Sequence, residues 1–304
     1  MKRVLNCIVP DEFDGQRLDT LLRSRYKMSG SLIKDLKRAE DGLLVNGSRA
    51  RTVDLLHNGD SVTLTLHEYA SENIPPVKLS FKTVYEDEDL LIVSKPAGMP
   101  THTSQGNFLN TLSNAVMYHF MENGEEHVFR AVNRLDKDTS GLMCIAKNKY
   151  VHARLCADFH SKAVKRSYLA IVCGVIRGEG TIDLPIAREN DSVIKRVVRS
   201  DGARSITHYK GLDVFSGYSL VELELETGRT HQIRVHMAHI GAPLLGDWLY
   251  GSEDKGLFSR QALHSYRIKL THPVTGAVLE FEEPLPYDMM NFFYKFSKSP
   301  CILC

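Results

Sequence analysis

The sequence predicts an α+β protein: a mixed, mostly antiparallel sheet flanked by helices and loops, preceded by a small N-terminal α/β unit. Three observations carry that prediction. From residue 80 onward strand-like segments dominate and often follow one another without an intervening helix, which disfavours a doubly wound sheet. The N-terminal stretch instead shows two short helical patterns and then a hairpin. Between the two lies "EYASENIPPVK", polar and carrying Pro75-Pro76, the composition of a linker. The expected division is residues 1–67, a linker at 68–79, a large unit at 80–297 and a tail at 298–304.

Within the first unit, "QRLDTLLRSRY" sets Leu18, Leu21 and Leu22 on one helical face. "SGSLIKDLKRAEDG" opens with serines suited to N-capping and ends at Gly42. It places Ile33 and Leu36 on one face and leaves Lys34, Lys37 and Arg38 for solvent. "GLLVNGSRA" is a short strand with a turn at Asn46-Gly47, and "LLHNGDSVTLTL" adds a turn and an alternating strand. In the large unit, "LLIVSKP" reads as a buried strand ending at Lys95-Pro96, and "LMCIAK" as a second apolar strand. "YVHARLCADFHS" is helical, with Val151, Leu155 and Phe159 four apart. "RSYLAIVCG" and "YSLVELELETG" are strands, the latter cleanly alternating. "THQIRVHMAHIG" is a helix expected to be capped by Thr230 and stopped by Gly241. "HSYRIKLTHPVTGAVLEFEEPLP" forms a hairpin turning at Pro273 to Gly276.

Composition narrows the class. With 304 residues, 43% hydrophobic and 25% charged, the chain can build a large core. No apolar run approaches the roughly 18 residues a membrane helix needs. The opening "MKRVLNCIVPDEFDG" lacks a secretory pattern, so a cytoplasmic protein with no membrane segment is expected. Six scattered cysteines are not needed as disulfides in a chain of this size. Cys301 and Cys304 stand in a tail without the strand–helix context or second ligand pair of a redox or zinc motif. The net charge is only +1, but basic residues cluster. Arg17 to Arg51 holds nine Lys/Arg against four Asp/Glu, and Lys147 to Leu169 holds six against one. Such patches are the electrostatic footprint of a nucleic-acid partner, although solvated helix faces produce them too.

Chemistry is then narrowed by elimination. His236 and His239 lie three apart on one predicted helix, with His231 nearby, but that helix holds no glutamate, so a metal hydrolase is the weaker reading. There is no G-x-S-x-G, phosphate loop or dinucleotide fingerprint. Carboxylate chemistry remains. "NRLDKDTSG" places Asp136 in a polar loop that feeds an apolar strand, the setting in which function concentrates. An ionised aspartate can be a nucleophile or a base, and if buried it needs a cation. Arg234 and Arg229, in and just before "THQIRVHMAHIG", are the candidates.

Four segments in order, "IVSKPAGMPTH", "NRLDKDTSGL", "KRSYLAIVCG" and "TGRTHQIRVHMAHIGAPLLGDWLY", resemble the signatures of the RluA-type pseudouridine synthases. The N-terminal unit resembles the S4-type RNA-binding domain through Arg17-Leu18-Asp19 with Leu21-Leu22, the Ser31 helix start, Val45-Asn46-Gly47 and Gly59-Asp60. Together the two resemblances span nearly the whole chain. One departure is Asn133, where the family usually has histidine.

The resemblance implies an isomerase that converts uridine in RNA to pseudouridine without cofactor or metal. Asp136 would be its essential carboxylate, attacking the ribose C1′ or removing a C2′ proton. Tyr168 would stack on the target uracil and relay a proton, although a tyrosine in "SYLAIV" also suits a core. Arg234 would pair with Asp136, and Arg134 would fill the space left by the everted nucleotide. Lys34, Lys37 and Arg38 in the S4-like unit, with Lys165, Arg166 and Arg229, would bind RNA phosphates. Large-subunit ribosomal RNA is the expected partner and transfer RNA the alternative, for a monomer. The competing reading from another class is a non-catalytic RNA-binding assembly factor, against which the joint presence of Asp136, Tyr168 and Arg234 speaks.

Overall fold

The computed structural model describes residues 2–68, 73–190, 192, 194–251 and 256–297. The expected tail at 298–304, with its two cysteines, and residues 69–72 of the expected linker lie outside the described residues.

The N-terminal part comprises β1 (Lys2–Ile8), α1 (Leu18–Ser24), α2 (Gly30–Arg38), β2 (Leu43–Val45), β3 (Ser48–Arg49) and β4 (Ser61–His67), with sheet order β1-β4-β2-β3. Asn46 and Gly47 both take left-handed φ, 49° and 76°, as a two-residue hairpin turn requires. Helix α2 is capped by Ser29, whose hydroxyl accepts the Leu32 amide. It ends at Arg38 rather than running to Gly42. Gly42 is needed for another reason: a Cβ there would lie 1.9 Å from the Leu36 carbonyl oxygen. Strand β1, absent from the sequence expectation, pairs antiparallel with β4 along its length.

The rest comprises β5 (Lys82–Glu86), β6 (Leu90–Lys95), α3 (Leu112–Glu122), β7 (Ser140–Ala146), α4 (Lys149–His160), β8 (Lys165–Cys173) and β9 (Glu179–Asp183). There follow β10 (Ile186–Arg188), β11 (Arg196–Val198), β12 (Ile206–Phe215), β13 (Tyr218–Leu225), α5 (Gln232–His239), β14 (Leu263–Thr271), β15 (Val278–Glu282) and α6 (Tyr287–Phe296). One large sheet runs β5-β6-β7-β14-β8-β13-β12-β9, with β15 branching from β14. Within it β7 and β14 are parallel and the other pairs antiparallel. A mixed α+β architecture is thus what forms.

Two helices were not foreseen. Helix α3 starts with a reciprocal capping box between Thr111 and Asn114. Helix α6 buries Met289, Phe292 and Phe293 against Leu169, Ile171 and Phe215 of the sheet.

The two parts share one apolar cluster, in which Leu18, Leu22, Ile33 and Leu36 join Leu142, Val151, Leu155 and Ile268. Polar contacts frame it. Arg3 forks onto the buried Asp89 at 2.8 and 2.7 Å, and Arg130 donates to Glu68 at 2.6 Å. Tyr26 stands edge-on to Tyr150 with ring centroids 6.2 Å apart. The N-terminal unit is therefore docked against α4 and the sheet.

Candidate active site

A cleft of about 490 Å³ opens where the loop before β7, strand β8 and the N-terminus of α5 meet. Its walls include Arg134, Asp136, Arg166, Tyr168, Arg229 and Arg234. Lys165 is exposed on β8 and does not line it, and Lys34, Lys37 and Arg38 lie on the exposed face of α2.

Four successive carbonyls of the loop at 133–139 are bonded, three of them from outside the loop and one within it. Leu135 O accepts Thr101 Oγ1 at 3.0 Å, and Asp136 O accepts the Thr139 amide at 3.1 Å. Lys137 O accepts Lys95 Nζ at 2.9 Å, and Asp138 O accepts Arg260 Nη1 at 3.0 Å. Asn133 is buried, and its Oδ1 accepts the Cys144 amide at 2.8 Å, tying the loop to β7. Ser140 shares a 2.9 Å hydrogen bond with His264 Nδ1. Burial pushes His264 down to about 4, so its ring is neutral at pH 7. At Gly141 the close approach is backbone to backbone: φ is +105° and a Cβ would sit 2.2 Å from the Ser265 oxygen.

This leaves Asp136 with its side chain 28% exposed, facing Arg234 Nη1 at 3.2 Å. Arg234 is 5% exposed at its side chain and held from behind. Its Nε and Nη2 fork onto Asp247 at 2.7 Å each, and its guanidinium lies 5.1 Å from the centre of the Tyr250 ring. Burial pulls the Arg234 pKa down, but Asp247 and then Asp136 outweigh it, so the cation is held. Asp247 is fully buried and also accepts the Leu249 and Tyr250 amides, at 3.1 and 3.3 Å. A lone aspartate after a glycine reads as a turn residue; here it makes the turn and anchors the arginine.

The N-terminus of α5 departs from expectation. The N-cap is His231, in left-handed conformation at φ 58°, and neither it nor Thr230 caps with a side chain. Gln232, the first residue of the helix, instead ties down the turn that precedes it. Its Oε1 accepts the Arg229 amide at 3.0 Å and the Thr227 hydroxyl at 2.8 Å. His231 is thereby turned so that Nδ1 meets the Tyr250 hydroxyl at 2.9 Å and Nε2 lies 3.8 Å from Asp136. Gly241, with φ +80°, ends the helix as expected.

Tyr168 is 5% exposed on the cleft wall. Burial raises its phenol pKa, opposed by the nearby Arg166 cation, so it stays protonated at neutral pH. Lys95, fully buried, was read only as a strand end. Its ammonium donates to the carbonyls of Pro96, Met99 and Lys137 at 2.8 to 2.9 Å. His236 is committed to Thr207 Oγ1 and the Leu184 carbonyl, at 2.9 and 3.0 Å. Among the described residues no three His, Cys, Asp or Glu side chains stand close enough to share a metal ion, and no helix is long and apolar enough to cross a membrane.

The RNA pseudouridylate synthase family pattern matches residues 89–239, which contain Asp136, Tyr168 and Arg234. The uncharacterized RNA pseudouridine synthase YhcT of Bacillus subtilis is 39% identical over 292 residues, covering 95% of this chain and 96% of its own length. The ribosomal large subunit pseudouridine synthase D of Pseudomonas aeruginosa is 39% identical over 301 residues, covering 93% and 92%. Among solved structures, human RNA pseudouridylate synthase domain containing 1 superposes with a TM-score of 0.59 at 28% identity, over 72% of this chain and 88% of that one.

Proposed function

The chain belongs to the RNA pseudouridylate synthase family, and from that premise we propose that it isomerises uridines of large-subunit ribosomal RNA with Asp136 as the reacting group. The observation that carries this is the Asp136 carboxylate, open to the cleft and held 3.2 Å from a buried arginine that is itself fixed by Asp247. A carboxylate so placed is held in one orientation toward the cleft, as a nucleophile or base must be. It acts on the ribose, at C1′ or at the C2′ proton. Either route breaks the C1′–N1 bond, lets the uracil turn over, and forms a bond from C1′ to C5. The proton on C5 then leaves and N1 gains one, so atoms and electrons balance within the nucleotide.

Tyr168 offers a ring face for the uracil and a hydroxyl that keeps its proton. Arg134 is exposed at the cleft edge and suits the space vacated by the everted nucleotide. Residues 1–67 serve as an S4-like RNA-binding unit, with Lys34, Lys37 and Arg38 taking phosphates outside the cleft together with Lys165, and Arg229 taking one at its rim. Residues 80–297 form the synthase unit. Relatives named as large-subunit synthases support ribosomal RNA over transfer RNA, and the reading places a monomer in the cytoplasm.

The test uses unmodified large-subunit ribosomal RNA transcribed with tritium at uridine C5. The native protein releases label and Asp136→Asn does not. Release by that variant at the native rate would remove Asp136 from the reaction, and no release by the native protein would remove this RNA as substrate.

A further inference from the structure

Buried cations in this protein come with partners. Lys147 has Glu86 and Glu125, Arg130 has Glu68, Arg234 has Asp247 and Asp136, Arg260 has Asp288, and Lys95 has three carbonyls. Arg166 breaks the pattern. It is 7% exposed on β8, and no carboxylate lies within ion-pair distance among the described residues. Its Nε makes no hydrogen bond. It is held by the Phe159 ring, 4.9 Å from the guanidinium carbon, and the polar group its field reaches is the Tyr168 hydroxyl.

A guanidinium buried without an anion is costly, and truncating its surroundings does not explain why it is there. Its location does. Arg166 lines the same cleft as Asp136 and Tyr168, facing Gly228. A side chain at 228 would close on it: a Cβ there would lie 3.1 Å from Nη1 and 3.7 Å from Nη2. The glycine leaves room beside the two terminal nitrogens, whose polar neighbour is the Tyr168 hydroxyl, for an incoming group.

We propose that Arg166 and Gly228 form the seat for the phosphodiester of the everted target nucleotide. This rests on the functional reading above and deepens it: the α2 cations lie outside the cleft and Arg134 and Arg229 are exposed at its rim, whereas the buried Arg166 meets a phosphate only when a nucleotide has entered the cleft. The ligand is the one anion that each nucleotide carries, and a guanidinium fork matches its paired oxygens. Pairing with a cation that is unpaired in the free protein returns part of the few kcal/mol that everting a base costs.

The test compares full-length native protein, Arg166→Met and Arg166→Lys on C5-tritiated large-subunit ribosomal RNA. Each is measured for label release against RNA concentration at several salt concentrations, for RNA retention on filters, and for melting temperature. Methionine keeps the packing on Phe159 and removes the charge. Its KM should rise about tenfold, and the slope of log affinity against log salt should shrink by about one. Its melting temperature should equal or exceed the native value, because an unpaired buried charge is gone. Lysine should restore the salt slope. Gly228→Ala, which crowds the nitrogens and keeps the charge, should also raise KM.

The proposal is overturned if Arg166→Met leaves KM and salt slope unchanged. It is equally overturned if KM rises with the slope intact, which marks a contact to the base, or if the variant melts several degrees lower with the slope intact, which marks a structural prop. Filter retention reads the charge without turnover. A changed slope with no label release from native protein therefore sinks the functional reading and leaves the phosphate seat standing.

Discussion

Asp247→Asn probes the anchor behind the reacting pair. Asp247 is fully buried, lies away from the cleft, and accepts two guanidinium hydrogen bonds at 2.7 Å as well as two backbone amides. Asparagine can still accept the amides, but it must turn an N–H toward Arg234. Breaking one side of a buried charge pair costs about 3–5 kcal/mol. Against a native state worth roughly 5–15 kcal/mol, that is a large fraction. At about 2–4 °C per kcal/mol for a chain of this class, the melting midpoint should fall by roughly 10 °C. Arg234, released from behind, can then follow Asp136, and a displacement of about 1 Å costs on the order of 100-fold in rate. Asp136→Asn should show the reverse balance. Its side chain is 28% exposed and makes one bond to Arg234, so turnover is lost while the midpoint moves by only about 2 °C. The assays are thermal melting by circular dichroism and label release at saturating RNA. An Asp247→Asn protein melting within about 2 °C of native and turning over within twofold would refute the view that Asp247 holds Arg234 in place.

Lys95→Met leaves three partly buried carbonyls without their ammonium donor and should cost about 2 kcal/mol in urea unfolding; a cost under about 0.5 kcal/mol would show that the loop does not depend on the ammonium. Burial pushes Lys95 down to about 7, against the pull of Asp138 and Asp136. Above pH 7 the unfolded chain then binds the proton more than the native chain does, so native stability should rise relative to Lys95→Met by up to about 1.4 kcal/mol per pH unit toward pH 10. A flat difference across that window would mean that the three carbonyls keep the group charged. Gly141→Ala must place a Cβ against the Ser265 oxygen at positive φ, and should destabilise by about 3 kcal/mol or more; native-like melting would contradict the close approach of β7 and β14. Arg3→Ala strands the buried Asp89 with Asn148 as its remaining side-chain donor, and because Arg3 is partly exposed the cost should be about 2 kcal/mol by urea titration. No loss there would mean that the apolar cluster alone docks the N-terminal unit.

Much of the sheet was legible because its strands announce themselves locally. "YSLVELELETG" alternates, and "LMCIA" is apolar throughout because β7 is buried along its whole length. Elements decided by tertiary context were not. Helix α6 starts after Pro286 with no side-chain cap, and its aromatic run packs on a sheet surface that no local pattern reveals. Helix α3 uses asparagine where a capping box usually has glutamate or glutamine, which hid its start. Thr230 does not cap α5 because the left-handed turn at His231 moves the helix start one residue on, and Gln232 fastens that turn through Arg229 and Thr227. At the cleft, loop residues such as Asp136 stood out by their crowding of polar types. Lys95 and Asp247 did not, since each is a single charge in its stretch of sequence, and the contacts that tie it to the site, Lys137 O for Lys95 and Arg234 for Asp247, come from other elements. The docking of the two units was hidden for a similar reason: the leucines of α1 and α2 look like a private core, and nothing local says that Val151 and Leu155 complete it.

The pinned carbonyls bear on synthesis. Lys95 and Thr101 emerge early, but Arg260 comes more than a hundred residues after the loop it grips, and Arg260 is in turn steadied by Asp288 on α6. Thr101, Lys95 and Asn133 can hold the loop as soon as β7 has formed, whereas the grip of Arg260 on the Asp138 carbonyl is completed only once α6 has supplied Asp288.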